Sequence, residues 1–136
     1  MIDGKTAPYA ALLLRVSMGV LFLLHGIYLK AYVFGMVGTG KYFASLGLPD
    51  WWAWLAMLYE TIGGLALIFG VYARWVALFL GVHLLFAAYF GHAGNGFFFT
   101  AKGGGWEYPL FWAIACFVLA LLGDGPQALK PSTSSR

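Results

Sequence analysis

Four runs of apolar residues, each interrupted by few charges, dominate the chain: about Tyr9 to Leu29, Trp51 to Val71, Arg74 to Gly91 and Tyr108 to Leu122. A helix rising 1.5 Å per residue needs about 20 residues to cross a hydrocarbon core about 30 Å thick. The first three runs reach or approach that length and are predicted as membrane-spanning helices. Pro8 suits the first turn of the first helix, and Pro49-Asp50 marks the start of the second. The fourth run opens with Pro109 and stops at Gly123-Asp124-Gly125-Pro126. It is short, so it either begins within the preceding loop or crosses where the bilayer is thin. The pattern predicts an all-α fold, a four-transmembrane-helix bundle over residues 1–130, followed by a disordered polar tail over 131–136.

Only Tyr72-Ala73 separates the second and third runs, whereas the other two connections are long and fall on one side. Residues 31–50 alternate glycine (Gly35, Gly38, Gly40) with aromatics (Tyr32, Phe34, Tyr42, Phe43). This predicts an interfacial or re-entrant loop between helices 1 and 2, because irregular backbone at membrane depth must be shielded from lipid. Residues 93–106 are glycine-rich around Phe97-Phe98-Phe99. An even number of spans puts both termini on one side, with Lys5, Arg74, Lys130 and Arg136 there against Lys30, Lys41 and Lys102 opposite. The excess predicts cytoplasmic termini, with Lys30 and Arg74 as anchors at membrane ends.

Composition reinforces the pattern. Of 136 residues, 62% are hydrophobic and 10% charged, against about 25% charged in ordinary soluble domains. So short a soluble domain could not hide that much apolar surface. The first apolar run lacks a small-residue cleavage site after it, so it reads as a retained anchor. The expected location is the inner (cytoplasmic) membrane, with membrane lipid as a partner. The net charge of +3 fits the flanks of membrane helices, and no nucleic-acid partner is expected. With Cys116 as the single cysteine, intrachain disulfides and CxxC redox pairs are excluded. A Walker loop, HExxH and a serine nucleophile elbow are all missing, which argues against nucleotide hydrolysis and zinc proteolysis.

Six ionisable residues lie within or at the edges of the apolar runs: Arg15, His25, Glu60, His83, His92 and Glu107. A charge at the bilayer centre costs about 3 kcal/mol even on mild scales, so these groups are expected to face the bundle interior. Counted from the long-loop side, Glu60 and His83 lie about 13 Å and about 12 Å deep, and His25 about 6 Å deep. His92 and Glu107 lie near the rim. Arg15, about 20 Å deep, could reach up to Glu60 or snorkel the other way. The expected picture is an upper layer of His25, His92 and Glu107 above a lower layer of Glu60, His83 and Arg15. Arg15, Gly19, Phe22 and Gly26 share one stripe, along which a neighbouring helix can approach closely. His83 and His92, nine residues apart, both face inward only if the helix ends or distorts near Gly91.

Each group has an alternative reading. Arg15 with Glu60 is either a structural ion pair or a working one. His83 suits a core imidazole, His25 a helix C-terminus, and Glu107 a helix N-terminus. Paired axial histidines for haem stay open, with His25, His83 and His92 available.

The ordered set of residues resembles the DoxX family. The stretch from Arg15 and Gly19 through His25-Gly26 to Lys30, and then Tyr42 to Pro49, is similar to its opening. Glu60 with Gly63-Gly64-Leu65, Gly70 and Arg74 resembles its second segment. His83, His92, Asn95-Gly96-Phe97-Phe98, Gly105 to Pro109 and Gly123-Asp124-Gly125 resemble its third and fourth. The resemblance implies a four-helix protein of the bacterial cytoplasmic membrane. It also implies kinship with a quinone-linked subunit of a thiosulfate-oxidising enzyme and with components of membrane oxidoreductase complexes.

The leading functional expectation is a redox-associated membrane subunit holding a quinone-type ligand. Such a ligand needs a flat apolar slot with polar groups at its carbonyls. Phe22, His25, His83 and His92 are the expected binding residues, and Glu60, His83, His25, Arg15 and Glu107 the expected proton-handling set. Electrons would have to come from a redox partner protein, and a homo-oligomer is compatible with the chain. The alternatives are a non-enzymatic scaffold or assembly subunit, and a passage for a small molecule or metal ion.

Overall fold

The computed structural model describes residues 1–133. Helix α1 covers Ala7–Leu23 and runs on without a break through Leu24–Val33 in the wider π winding. Pro8 occupies its first turn, where a missing amide costs no hydrogen bond. Helix α2 is Gly35–Ser45, α3 is Trp52–Phe69, and α4 is Ala73–Phe86 with a π continuation over Ala87–His92. Helix α5 is Glu107–Leu122. The fold is all-helical. Three of its helices are long and apolar enough to cross a membrane: Ala7–Val33 with 27 residues, Trp52–Phe69 with 18 and Ala73–Asn95 with 23. Helix α5, with 16 residues, is about 24 Å long and falls short of the full hydrocarbon thickness.

Small side chains make up much of the core. Ala53, Ala56, Ala73, Ala77 and Ala113 are fully buried, alongside Phe22, Leu67, Leu80, Cys116 and Leu119. Large apolar groups such as Phe79, Phe111 and Leu121 point outward. That distribution suits lipid, which gives no hydrophobic drive for helix association and leaves close packing as the main attraction.

Helix α1 packs chiefly on α3, and α4 chiefly on α5. The glycine stripe explains the first pairing. A Cβ added to Gly19 would stand 2.7 Å from the Gly64 carbonyl oxygen, and one on Gly64 would stand 2.8 Å from the Gly19 oxygen. Higher up, a Cβ on Gly26 would meet Thr61 Oγ1 at 2.8 Å and Glu60 Cβ at 3.1 Å. In the second pairing Gly81 admits the ring of Phe117.

The segment predicted as an interfacial or re-entrant piece contains α2, which packs against α3 and the π part of α1. Buried Thr39 of α2 places its Oγ1 2.9 Å from the Lys30 carbonyl oxygen. This is the loop end of the bundle. At the terminal end, α3 closes on Gly70 in the left-handed region (φ 67°), and Tyr72 begins α4 from the same region (φ 48°). The chain after α5 folds back over this turn. Leu129 N–H donates to Phe69 O (3.0 Å), Lys130 N–H to Gly70 O (3.1 Å) and Tyr72 N–H to Lys130 O (2.8 Å). The first two bonds satisfy carbonyls that the last turn of α3 would leave unpaired. Of the polar tail predicted over 131–136, Ser132 is bonded to Asp124, and 134–136 lie outside the described residues.

Candidate functional site

Glu60 sits near the middle of α3 and is 5% exposed. Its two carboxylate oxygens face different helices. Oε2 lies 2.5 Å from Lys30 Nζ, on the π part of α1, and Oε1 lies 2.7 Å from His83 Nε2, on α4. The chain of contacts continues on both sides. His83 Nδ1 is 2.8 Å from the Tyr59 hydroxyl, and Lys30 Nζ also donates to the His25 carbonyl oxygen at 3.2 Å. Beside Lys30 the Glu60 carboxylate is ionised and accepts on both oxygens. An imidazole carrying its single proton on Nε2 donates to Glu60, and its Nδ1 then accepts from the Tyr59 O–H. One buried carboxylate of α3 is thus satisfied from two other helices, and a continuous path of hydrogen-bonding contacts runs Tyr59–His83–Glu60–Lys30.

Two of these four residues escape the sequence reading. Lys30, read there as a membrane-end anchor, turns inward. It follows Gly26 by four residues and so extends the stripe of Arg15, Gly19, Phe22 and Gly26. Its long side chain leans back toward the helix N-terminus and hence down to Glu60. Tyr59 carries a different signal, a phenol in mid-span that needs a hydrogen-bond partner once buried.

Of the two directions open to Arg15, up to Glu60 or toward the terminal side, the structure shows the second, so the Arg15–Glu60 pair does not form. Arg15 is 1% exposed, but it serves the terminal end. Its guanidinium donates to Asp124 O (2.5 Å) and Gln127 O (3.4 Å) and packs against Gly70. The break after α5 leaves these carbonyls without helical partners, and a buried guanidinium supplies fixed donors for them. The Asp124 side chain takes part in the same knot. Burial alone would raise its pKa, but donation from the Ser132 hydroxyl (2.7 Å) and N–H (2.8 Å) outweighs it. With the Arg74 N–H adding a weaker bond (3.4 Å), the carboxyl is held below the usual range.

The upper layer does not converge either. His25 Nδ1 lies 2.9 Å from the Leu21 carbonyl oxygen, so its ring is tied to its own helix, edge-on to Trp112. His92 Nδ1 binds the Gly104 oxygen at 3.0 Å, and Glu107 Oε1 accepts from the Phe99 N–H at 2.8 Å. Both hold the 93–106 loop in shape. The distortion that would turn His92 does occur, as the π winding over Ala87–His92, but it brings the ring to the loop and not to His83.

The slot expected beside Phe22 is filled. Phe22 is 0% exposed, and its ring centroid lies 4.7 Å from that of Trp112. Concavities open instead on the outer surface. One of about 480 Å³ is lined by Phe97, Phe99, Glu107, Tyr108 and Phe111 among others, and another of about 370 Å³ lies along α4 from Val82 to Phe90. Among the described residues, no three His, Cys, Asp or Glu side chains come together as a metal site requires.

The comparisons with known proteins agree with the helical membrane architecture. The sequence model of the DoxX family matches residues 10–93, more than half of the chain. A putative oxidoreductase CatD of Bacillus subtilis is 35% identical over 82 residues, 60% of this chain and 59% of that protein. An uncharacterized protein of Haemophilus influenzae is 31% identical over 128 residues, 92% of this chain and 91% of its own. The inner membrane protein YqjF of Escherichia coli is 33% identical over 89 residues, 65% of this chain and 66% of YqjF. The chain therefore spans less than two thirds of the length of CatD and of YqjF. No solved structure matches it.

Proposed function

This chain belongs to the DoxX family, and on that premise we propose that it is a multi-pass subunit of the bacterial cytoplasmic membrane that handles protons for a quinone-type ligand within a membrane oxidoreductase system. The observation carrying this reading is the unbroken Tyr59–His83–Glu60–Lys30 path, centred on buried Glu60 and drawn from three helices. Quinone chemistry couples electron and proton transfer. An ionised carboxylate bonded to a neutral imidazole provides both an acceptor and a carrier for the proton. The printed name of CatD, a putative oxidoreductase, supports a redox setting, and that of YqjF, an inner membrane protein, supports the location. In this reading α5 is the fourth crossing, both termini are cytoplasmic and electrons come from a redox partner protein.

The fit of the ligand is better at Tyr59–His83 than at Phe22, where Trp112 already fills the space. Tyr59 and His83 are each partly exposed. Phe79 stands edge-on to Tyr59 at 5.5 Å and is 56% exposed, offering an aromatic face to a molecule dissolved in the bilayer. A bound quinone-type ligand would supply the electron-carrying ring, while Tyr59 would meet its oxygen and His83 and Glu60 would hold the proton.

The test is extraction of the purified full chain and mass spectrometry for co-purified quinone, together with complementation by His83→Ala and Glu60→Gln. Bound quinone and loss of in-vivo function in both variants are expected. Absence of quinone with full function in both variants would refute the reading. A scaffold role is the second reading, favoured by the closely filled core around Phe22 and by the Arg15–Asp124 knot, neither of which leaves room for a ligand. It predicts normal in-vivo function in the same two variants.

A further inference from the structure

The relay has a direction, and the direction selects one redox form of the ligand. Lys30 and His83 take the two oxygens of Glu60, and to an ionised carboxylate, which can only accept, His83 Nε2 donates across 2.7 Å. A neutral imidazole with its proton on Nε2 has an accepting Nδ1, so the Tyr59 O–H is committed to His83 across 2.8 Å. What Tyr59 has left for a ligand is acceptor lone pairs alone.

We propose that Tyr59 is the ligand-facing end of the relay and that it recognises a hydroxyl donor, the quinol form of the ligand, in preference to the quinone. This rests on the quinone-type reading above and goes beyond it by naming the form bound and the residue that reads it. A quinone carbonyl only accepts and would meet a lone pair at Tyr59, whereas a quinol O–H would complete the phenol's valence. The proton path is balanced. The quinol hydroxyl passes its proton to the Tyr59 oxygen as Tyr59 passes its own to His83 Nδ1 and His83 Nε2 passes its proton to Glu60. Ligand deprotonation leaves Glu60 protonated beside Lys30, and no electron moves in that step.

The experiment measures equilibrium binding of tritiated decyl-ubiquinol, under anaerobic conditions, and of decyl-ubiquinone to the full chain in nanodiscs. The wild type is expected to bind the quinol about tenfold tighter, the weight of one hydrogen bond. Tyr59→Phe should bring the ratio to about one. Glu60→Gln should invert it. The amide oxygen at position 60 would turn to Lys30 and its NH₂ to His83, forcing the imidazole proton onto Nδ1 and freeing the Tyr59 O–H to donate to a carbonyl. Binding of both forms with equal affinity by the wild type, or a ratio unchanged in both variants, overturns this inference and leaves the quinone-type reading standing. If neither form binds the wild type, that reading falls and the inference with it. Should one variant fail to fold, the wild-type ratio and the other variant decide.

Discussion

Lys30 Nζ lies 2.5 Å from Glu60 Oε2, with side-chain exposures of 15% and 6%, and this one ion pair joins the π-wound part of α1 to the middle of α3. Its attraction is large where water is scarce, and so is the desolvation of both charges. Such a pair adds little net stability against an apolar replacement of both groups, but losing one partner strands a buried charge.

Lys30→Met should therefore destabilise the chain by about 3–5 kcal/mol. Lys30→Met combined with Glu60→Leu should recover most of that loss. Denaturant unfolding in mild detergent checks both, and a double variant no more stable than Lys30→Met would contradict the pairing.

Gly19 and Gly64 face one another so closely that an added Cβ on either would press on the other's carbonyl oxygen. Gly19→Ala and Gly64→Ala are each expected to cost about 1–3 kcal/mol as α1 is pushed off α3. Gly38→Ala, with nothing within 4 Å of the added carbon, is the control and should leave the melting temperature within a degree or two. Equal melting temperatures for all three would place the helices further apart than described.

Arg15 serves the terminal end of the bundle, Glu60 lies in the middle of α3, and they share no partner, so their substitutions should add. Arg15→Met with Glu60→Gln is expected to sum within about 0.5 kcal/mol. Arg15→Met alone should speed hydrogen exchange at the Leu129 and Lys130 amides, which the folded-back segment protects. A coupling energy well above that margin would restore the Arg15–Glu60 pairing.

Asp124 gives the terminal end an acid limit. Its carboxyl titrates lower in the folded protein than in the unfolded chain. The stabilisation is therefore complete above the unfolded value of about 3.9 and is lost as pH falls through the lower folded value. Asp124→Asn should remove this acid dependence and lower stability at neutral pH. Unfolding midpoints followed from neutral pH into that acid range test it, and a wild type that gains stability on acidification there would reverse the sign.

The apolar runs, the short turn at Tyr72-Ala73 and the stripe of Gly19, Phe22 and Gly26 were enough to predict helical spans and the close approach of some neighbouring helix to α1. These are local properties, since hydropathy is summed along a window and a helix face repeats every 3.6 residues whatever surrounds it. Which charge meets Glu60 is a different kind of fact. It depends on the azimuth of one helix against another 30 residues away in sequence, on a π winding that helix periodicity does not announce, and on how far a flexible lysine reaches. Tertiary structure alone gave Glu60 to Lys30, sent Arg15 to the carbonyls of Asp124 and Gln127, closed the space beside Phe22 with Trp112, and brought the Tyr59 phenol to His83. A buried polar group takes whichever partner the packing brings within 3 Å or so, and packing between distant segments leaves no periodic trace in the chain.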